Sequence, residues 1–371
     1  MLGFSDEVIQ QAYRAIFTND EDERNEARNK IKEFKQTHEV GMLIVASATG
    51  RARGRRVRVY RELLDFDIGA SKETLRNVED LYLQGVDATK VISLIYRLGK
   101  GGLVFVSIDY GIEFAKQLVE KLRNAGINAG IVHAGSKKDL ELFQEGKVDV
   151  LVGIATYYGT LVRGIDLPHI IRYAIFYGVP KFKFSLRVKK EEVFNLISLM
   201  GVLLDVLSNE ERRKLEGLYF RLRRALRQAD VASIRILQDI IAGKAKPTSK
   251  RLATLSSLVE QSYEIVSAML ARKEIIKMLE SYEYLTLSKE GDELKVSLPD
   301  VRTYIQASGR TSRLFAGGIT KGISILLVDD VKVFKGLRRS LKWQVDAEFK
   351  SLKEVDLKAL IAKVDEDRAK V

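Results

Sequence analysis

Short apolar runs rich in β-branched residues alternate with amphipathic stretches along much of this chain. Runs of roughly four to eight such residues are typical of buried strands, and a period of about 3.6 indicates a helix against a core. The pattern predicts strands at residues 103–108, 129–133, 148–155, 170–176 and 322–328, with helices at 112–124 and 137–144. This alternation favours an α/β fold in which a parallel sheet carries helices on both faces.

The alternation stops near Pro180 and resumes only at residue 322, and the sequence between them has a helical period. Ser208-Asn-Glu-Glu211 is a capping box that opens an arginine-rich helix. Further helices are predicted at 230–242 and 254–279, and a small hairpin at 284–298 turning at 290–292. The last predicted strand, 322–328, must pair with the strands that precede residue 180 to complete the sheet. We therefore interpret residues 183–297 as a mainly α-helical domain with a β-hairpin, inserted into the α/β domain.

The first seventy or so residues form a different pattern. We predict charged helices over 5–38, a strand at 42–47, an arginine-rich helix at 53–64, a short strand at 66–68 and a linker at 69–74. The predicted domains are therefore residues 1–72, then 73–182 together with 298–371, and the inserted domain at 183–297.

Composition narrows the function. The net charge is +12 and the pI about 9.5, which favours a polyanionic partner, most simply nucleic acid, although solubility alone also explains it. Cysteine is absent, which excludes disulfides, thiolate catalysis and zinc–thiolate sites, and three scattered histidines predict no metal site. No apolar run of membrane-spanning length and no signal-peptide pattern occur, so we expect a soluble, cytoplasmic protein that does not bind a membrane.

Residues 306–313, Gln-Ala-Ser-Gly-Arg-Thr-Ser-Arg, carry the strongest chemical signal. They resemble the last conserved motif of superfamily-two helicases, in which Gly309 lets the backbone turn tightly. The resemblance makes Arg310 and Arg313 catalytic arginine fingers that reach the phosphates of a nucleotide held by a neighbouring domain. Such fingers contribute roughly 10³–10⁵ in rate. The alternative is an arginine-rich loop on a basic protein.

Four further segments follow the order of motifs in superfamily-two helicases. Ser47-Ala-Thr49 resembles the motif that couples nucleotide state to nucleic-acid binding, although the Ser47 and Thr49 hydroxyls could simply cap the next helix. Ser107, Asp109 and Tyr110 lie at the carboxyl end of a predicted strand, where ligands bind in open parallel sheets.

His133-Ala-Gly135 ends the next predicted strand. The helicase resemblance implies that His133 and Gly135 lie against a phosphate of the bound strand, and an ordinary histidine at the core edge is an equal alternative. In the same resemblance Thr156 contacts nucleic acid. The segment Arg163-Gly-Ile-Asp-Leu-Pro168 supplies two nucleotide contacts, Gly164 and Asp166, and the last motif supplies two more, Gln306 and Gly309.

Two features depart from DEAD-box helicases. Thr156 lies seven positions before Arg163, a wider spacing, and Gln306-Ala307 replaces His-Arg. These departures are shared with the reverse gyrase family, which the chain resembles in residues 47–50, 60–64, 152–159, 171–180 and 304–317. The inserted segment falls where that family carries its latch, so the resemblance spans nearly the whole chain.

The resemblance implies a RecA-like helicase module that acts with a type IA topoisomerase module. Reverse gyrases use ATP to introduce positive supercoils into DNA, and they occur in hyperthermophiles. The expected partners are therefore DNA, the topoisomerase module and the remainder of the first RecA-like domain.

No Gly-x-x-x-x-Gly-Lys-Ser/Thr phosphate loop occurs, and no Asp-Glu pair follows an apolar strand before Ser47. We therefore expect a middle piece of such an enzyme: the end of the first RecA-like domain, the second RecA-like domain and the latch. ATP and Mg²⁺ are expected to bind mainly to the missing N-terminal part, and no cofactor to the isolated chain.

Two other functions stay open: a catalytically inactive nucleic-acid-binding module, and half of a DEAD-box-like RNA helicase. The arginine pair favours the enzyme fragment, and the large insertion disfavours the RNA helicase. Two basic clusters do little to separate these functions. The six arginines of residues 50–61 and the six of 212–227 form either solvated helix faces or DNA-binding surfaces. In the second cluster, Arg221 and Arg224 are the candidate DNA contacts.

Overall fold

The computed structural model describes residues 3–18, 20–41, 55–64, 76–133, 138–156, 159–165, 167, 169–187, 189–315 and 318–370. The chain divides into two compact units, Met1–Thr74 and Leu75–Val371. Each unit is described by itself below.

The first unit contains three described helices, α1 (Asp6–Phe17), α2 (Glu21–Thr37) and α3 (Arg55–Leu64). The predicted helical region 5–38 is two helices, because the Asp20 carboxylate accepts hydrogen bonds from the amides of Asp22 and Glu23 and so begins a new helix. The helices enclose a small core of Phe4, Val8, Ala12, Ile31, Val59 and Leu63. The strands predicted at 42–47 and 66–68 and the linker at 69–74 lie outside the described residues.

The second unit begins with the predicted alternation of strands and helices. Its first half comprises β1 (Val78–Gln84), α4 (Ala88–Leu98), β2 (Gly102–Val106), α5 (Gly111–Asn124), β3 (Ala129–Val132), α6 (Lys138–Gln144), β4 (Val150–Ile154), α7 (Thr160–Arg163) and β5 (Tyr173–Tyr177). Sequence analysis missed β1 and α4. Strand β1 holds Glu79 and Asp80 side by side, which breaks the apolar run that marks the other strands.

The inserted segment follows, with β6 (Lys181–Ser185), α8 (Val193–Val206), α9 (Asn209–Arg227), α10 (Val231–Ile241), α11 (Lys250–Leu270), α12 (Lys273–Ser281), β7 (Thr286–Glu290) and β8 (Glu293–Pro299). The predicted hairpin is confirmed, but β6 pairs antiparallel with β8 and makes a three-stranded sheet. The single helix predicted at 254–279 is two helices, which break at Ala271–Arg272. Ser208 does precede α9, although its hydroxyl contacts the Glu211 carboxylate rather than a backbone amide.

The chain then returns through α13 (Val301–Ser308), β9 (Leu314–Phe315), β10 (Gly318–Ile319), β11 (Gly322–Val328), α14 (Val331–Val345), β12 (Lys350–Ser351) and α15 (Leu357–Arg368). Seven strands form one parallel sheet in the order β12-β1-β11-β5-β2-β4-β3. Because β11 lies between β1 and β5, the sheet closes across the inserted segment, as predicted.

Alternate strand residues face opposite sides of the sheet. Val104, Val106 and Val152 pack on one face with α4, α5 and α15. Leu103, Phe105 and Leu151 pack on the other face with helices that include α6, α13 and α14. The predicted class is confirmed: a RecA-like parallel sheet with helices on both faces, plus a mainly helical insertion that has its own core.

Candidate functional site

The carboxyl edge of the sheet gathers three of the predicted nucleic-acid contacts. Strands β2, β4 and β3 are neighbours, and Ser107, Thr156 and His133 follow them at one edge. This edge is where ligands bind open parallel sheets. His133 is exposed and Thr156 half-buried, whereas Ser107 is fully buried and its hydroxyl donates to the Val179 carbonyl (3.2 Å). Gly135 lies outside the described residues.

A charged cluster lies at the same edge. The ammonium of Lys181 is 2.8 Å from Asp329 and 3.2 Å from Asp109. Asp329 also accepts the Val179 backbone N–H (2.8 Å), and the Tyr110 hydroxyl lies 3.5 Å away from it. We call Asp109, Lys181 and Asp329 the strand-end cluster.

Lys181, the central residue of this cluster, is kept in its charged form by its two carboxylate neighbours. Burial alone would lower the pKa of Lys181, but its contacts with Asp329 and Asp109 outweigh burial and raise that pKa. Burial and the nearby Asp329 carboxylate raise the pKa of Tyr110, so its hydroxyl stays protonated. Sequence analysis noticed Asp109 but missed Lys181 and Asp329, although two aspartates directly after the apolar strand β11 were an available signal.

Arg310 contacts the segment that follows β4. Its Nε donates to the Val162 carbonyl (2.7 Å) and its Nη1 to the Ile165 carbonyl (2.6 Å). Helix ends leave carbonyls without intrahelical partners, and the guanidinium satisfies that of Val162 in α7 together with the Ile165 carbonyl just beyond the helix. The structure thus brings a predicted finger beside Gly164, where an added Cβ would approach the Thr160 carbonyl to 2.8 Å. Asp166 lies outside the described residues.

Arg313 is tied within the same loop, residues 309–313, which we call the finger loop. Its backbone N–H donates to Thr320 Oγ1 (2.9 Å), and its Nη1 donates to the Gly309 carbonyl (3.3 Å). The expected glycine-dependent turn is wrong, because Gly309 has φ −62° and ψ −13°, a helical conformation open to any residue. Instead, among the described residues no atom beyond the adjoining chain lies within 4 Å of a Cβ added at Gly309, so the backbone there is open to an approaching group. Gln306 is half-buried on α13.

A buried network, unforeseen from the sequence, holds the helix before this loop. The Arg76 guanidinium forms two hydrogen bonds with the Asp80 carboxylate (2.6 and 2.5 Å) and a third with Ser308 (2.9 Å). The Tyr304 hydroxyl donates to Asp80 (2.6 Å). Burial, followed by the Asp80 charge, raises the pKa of Tyr304 well above its ordinary value. The Asn77 backbone N–H donates to Ser312 Oγ (2.9 Å), so the start of this unit contacts both sides of the finger loop.

The remaining predicted residues lie elsewhere. Arg221 and Arg224 are exposed on α9, a helix that packs within the inserted segment. Ser47 and Thr49 lie outside the described residues. Within the described part of the chain, no three His, Cys, Asp or Glu side chains are placed to bind a metal ion together. None of the helices described is both long and apolar enough to cross a membrane.

The fold and the site together define a helicase-like module, in which a RecA-like sheet positions a paired-arginine loop beside the segment after β4. No protein-family model matches the chain. The reverse gyrase of Pyrococcus horikoshii is 46% identical over 342 residues, which cover 91% of this chain and 21% of that protein. The reverse gyrase of Pyrococcus furiosus is 42% identical over 392 residues, which cover 100% of this chain and 32% of that protein.

The resemblance to the helicase-like module of reverse gyrase is confirmed, since the similarity extends over nearly the whole chain. The chain spans about a fifth to a third of the length of these curated relatives. Among solved structures, S. cerevisiae Dbp5 bound to RNA and ADP BeF3 is 15% identical with a TM-score of 0.42, covering 95% of this chain and 61% of that one.

Proposed function

We propose that this chain is the part of a reverse gyrase that contributes to ATP-dependent DNA binding, strand separation and positive supercoiling, together with a type IA topoisomerase module. The observation that carries the proposal is the finger loop. Its two arginines lie in a segment, residues 304–317, that resembles reverse gyrases, and Arg310 is fixed against the segment after β4 by two carbonyls.

The finger loop has features suited to a nucleotide phosphate. A guanidinium has five N–H donors in a planar fork, and such a fork recognises phosphate oxygens well. The open backbone at Gly309 leaves room for a close approach. When ATP is bound, its hydrolysis supplies the free energy, and Arg310 and Arg313 stabilise charge on its phosphates while a neighbouring domain supplies the other contacts.

The carboxyl edge of the sheet is the proposed path of the DNA backbone. Two carboxylates at this edge, Asp109 and Asp329, would repel a phosphate if they were unpaired. Lys181 lies between them within 3.2 Å of both and offsets half of this charge. A backbone phosphate can then approach the exposed His133 and the neighbouring Thr156 at the ends of β3 and β4.

The inserted segment supplies a second contact with DNA in this proposal. Helix α9 carries seven basic and three acidic residues, and Arg221 and Arg224 are exposed on it. Its arginines would bind phosphates irrespective of base sequence. The segment would thereby couple the helicase-like module to the topoisomerase module.

The test uses a complete reverse gyrase that contains this chain. Arg310→Ala and Arg313→Ala should each slow ATP hydrolysis by orders of magnitude and change nucleotide affinity much less, because fingers act mainly on transition-state charge. Arg302→Ala is the matched control, since Arg302 is an exposed arginine on α13, the helix that leads into the loop. Near-normal turnover in both finger variants would instead show that the two arginines take no part in catalysis, and would leave nucleic-acid binding as the role of this chain.

A further inference from the structure

An aromatic ring lies in the middle of the basic face of α9. Phe220 is 54% exposed, although the opposite face of the helix buries Leu215, Leu218, Leu222 and Leu226. Exposed residues recur at spacings of four and three on the same face as Phe220, namely Arg213, Gly217, Arg224 and Arg227. Such spacing places residues on one stripe of a helix. We call these five residues the arginine stripe.

The dimensions of the stripe suit a nucleic-acid strand. With a rise of about 1.5 Å per residue, Arg213 and Arg227 lie about 21 Å apart along the axis, a length over which one strand presents several phosphates. Phe220 lies near the centre, about 6 Å from Arg224 along the axis. One turn before the ring, a Cβ added at Gly217 would meet no atom of the described residues within 4 Å beyond its own stretch of helix, so the surface beside the ring is open.

The ring of Phe220 is supported by its neighbour Tyr219, which is held in turn by Arg223. The ring of Tyr219 packs edge-on against Phe220 with centroids 5.3 Å apart. Arg223 donates to the Tyr219 hydroxyl (3.1 Å) and its guanidinium lies 5.5 Å from that ring. Three acidic residues lie on α9: Glu216, half-buried one turn before Phe220, and Glu210 and Glu211, which pair with Lys214 and Arg272.

We propose that Phe220 is a stacking platform for an unpaired DNA base, with the arginines of the stripe on the flanking phosphates. A base in a duplex has both faces covered by its neighbours, whereas a single strand presents its faces to an aromatic ring. The surrounding arginines match the polyanion and favour this occupant over a protein segment. The inference rests on the proposed function and narrows its substrate at α9 to single-stranded DNA.

The experiment measures DNA binding by the purified chain with fluorescence anisotropy. The two probes are a labelled oligothymidylate and a labelled hairpin duplex with the same number of phosphates, each titrated at several salt concentrations. The variants are Phe220→Leu, Phe220→Tyr and Arg224→Ala. Phe194→Leu is the matched control, because Phe194 is a phenylalanine of the inserted segment that is 55% exposed, on α8.

Phe220→Leu should weaken oligothymidylate binding by about tenfold, the usual scale for one stacked base, with its salt dependence and the duplex affinity unchanged. Phe220→Tyr should restore binding, since it restores an aromatic ring. Arg224→Ala should weaken the binding of both probes. It should also lower the slope of log affinity against log salt concentration by about one, the value for one phosphate contact. Phe194→Leu should change neither affinity, and thermal unfolding of all variants should match the unmodified chain.

Two results would overturn the inference. One is equal behaviour of Phe220→Leu and Phe194→Leu towards oligothymidylate, and the other is an equal loss of duplex binding by Phe220→Leu. If Phe220→Leu instead impaired only association with a topoisomerase module, the ring would be a protein contact and the inference wrong. These failures leave the finger-loop test untouched, because ATP hydrolysis by the Arg310 and Arg313 variants is measured separately.

Discussion

The hydroxyl of Tyr304 donates a 2.6 Å hydrogen bond to the carboxylate of Asp80. The two residues are far apart in sequence, on α13 and on β1, and both are buried. Asp80 is also held by two hydrogen bonds from Arg76, which lies where the described part of this unit begins. Since α13 leads directly into the finger loop, this contact fixes the loop to the first strand of the unit.

Removing the hydroxyl of Tyr304 should therefore loosen the finger loop. Tyr304→Phe leaves the buried Asp80 short of one partner, which costs about 1–3 kcal/mol in the free energy of unfolding. Hydrogen–deuterium exchange should rise at residues 308–313. The matched control is Tyr173→Phe, because Tyr173 is equally buried and its hydroxyl donates to the Gly99 carbonyl (2.7 Å), away from the loop. Equal exchange at 308–313 in the two variants would show that the Tyr304 contact does not hold the loop.

The strand-end cluster leads to a prediction about Lys181. Lys181→Met leaves Asp109 and Asp329 facing each other with no cation between them, and breaking a buried pair in this way costs about 3–5 kcal/mol. Adding Asp329→Asn should recover part of that loss. Lys183→Met is the control on the same strand, since Lys183 pairs with the solvent-exposed Glu290 and such a surface pair contributes little to stability. Urea unfolding of the chain measures each difference, and comparable losses in Lys181→Met and Lys183→Met would refute the prediction.

Glu79 leads to a prediction about acid stability. Burial raises the pKa of Glu79, but hydrogen bonds from Lys321 and Lys350 (2.8 and 2.7 Å) outweigh it, and the net pKa is lowered below 4.5. A carboxyl whose pKa is lowered in the folded state stabilises the fold above its unfolded pKa. That stability is lost as pH falls through about 4.5 towards the lower folded value.

Glu79→Gln removes this titrating group. The free energy of unfolding of the variant should fall less steeply than that of the unmodified chain below about pH 5. The two stability curves should run parallel at neutral pH, where Glu79 is fully ionised. Urea unfolding at a series of pH values provides the comparison, and identical slopes in the acid range would contradict the role given to Glu79.

Strands β2, β4, β5 and β11 were predictable because each is buried on both faces and is therefore a continuous apolar run. Strand β1 escaped notice because the partners that satisfy its acidic residues lie outside the strand: Arg76, four residues before Asp80, and the distant Tyr304 for Asp80, and the distant Lys321 and Lys350 for Glu79. Helix α8 was missed for the opposite reason. It is apolar nearly all round, since it forms the centre of the insertion's core, and so shows no helical period.

The candidate site also has a part that the sequence predicts and a part that it does not. Short motifs located Arg310 and Arg313, because spacing within one loop is visible in sequence. They did not show that Arg310 contacts the carbonyls of Val162 and Ile165, which come from another strand–helix connection. Lys181 was likewise hidden, since it follows β5 while its two carboxylate partners, Asp109 and Asp329, follow β2 and β11. These two strands flank β5 only in the folded sheet.

The inserted segment has a core separate from those of the sheet. Its buried apolar residues run from Phe184 to Val296, and the two clusters on the faces of the sheet contain no residue between 183 and 297. Several polar contacts join the segment to α14 and its N-cap: Thr286 with Asp330 (2.8 Å), Lys335 with Glu283 (3.3 Å) and Arg339 with Asp205 (3.7 Å). Tyr284 adds a packing contact beside Gly336, and its ring lies 4.7 Å from the Arg339 guanidinium. Loss of the segment therefore removes few apolar contacts from the α/β core.

Replacement of residues 183–297 by a two-residue Asn-Gly turn should leave a folded α/β domain. Phe182 and Leu298 are paired residues on β6 and β8, so their separation suits such a turn. The shortened chain should retain a cooperative unfolding transition and bind DNA more weakly, with a salt slope lower by about one for each lost phosphate contact.

Within a complete reverse gyrase, ATP hydrolysis should persist while positive supercoiling is impaired, because the segment is proposed to couple the modules. The control keeps the segment intact and carries Arg221→Ala with Arg224→Ala, which separates lost charge from lost coupling. Normal supercoiling and an unchanged salt slope after the replacement would show that the segment plays no part in coupling or in DNA binding.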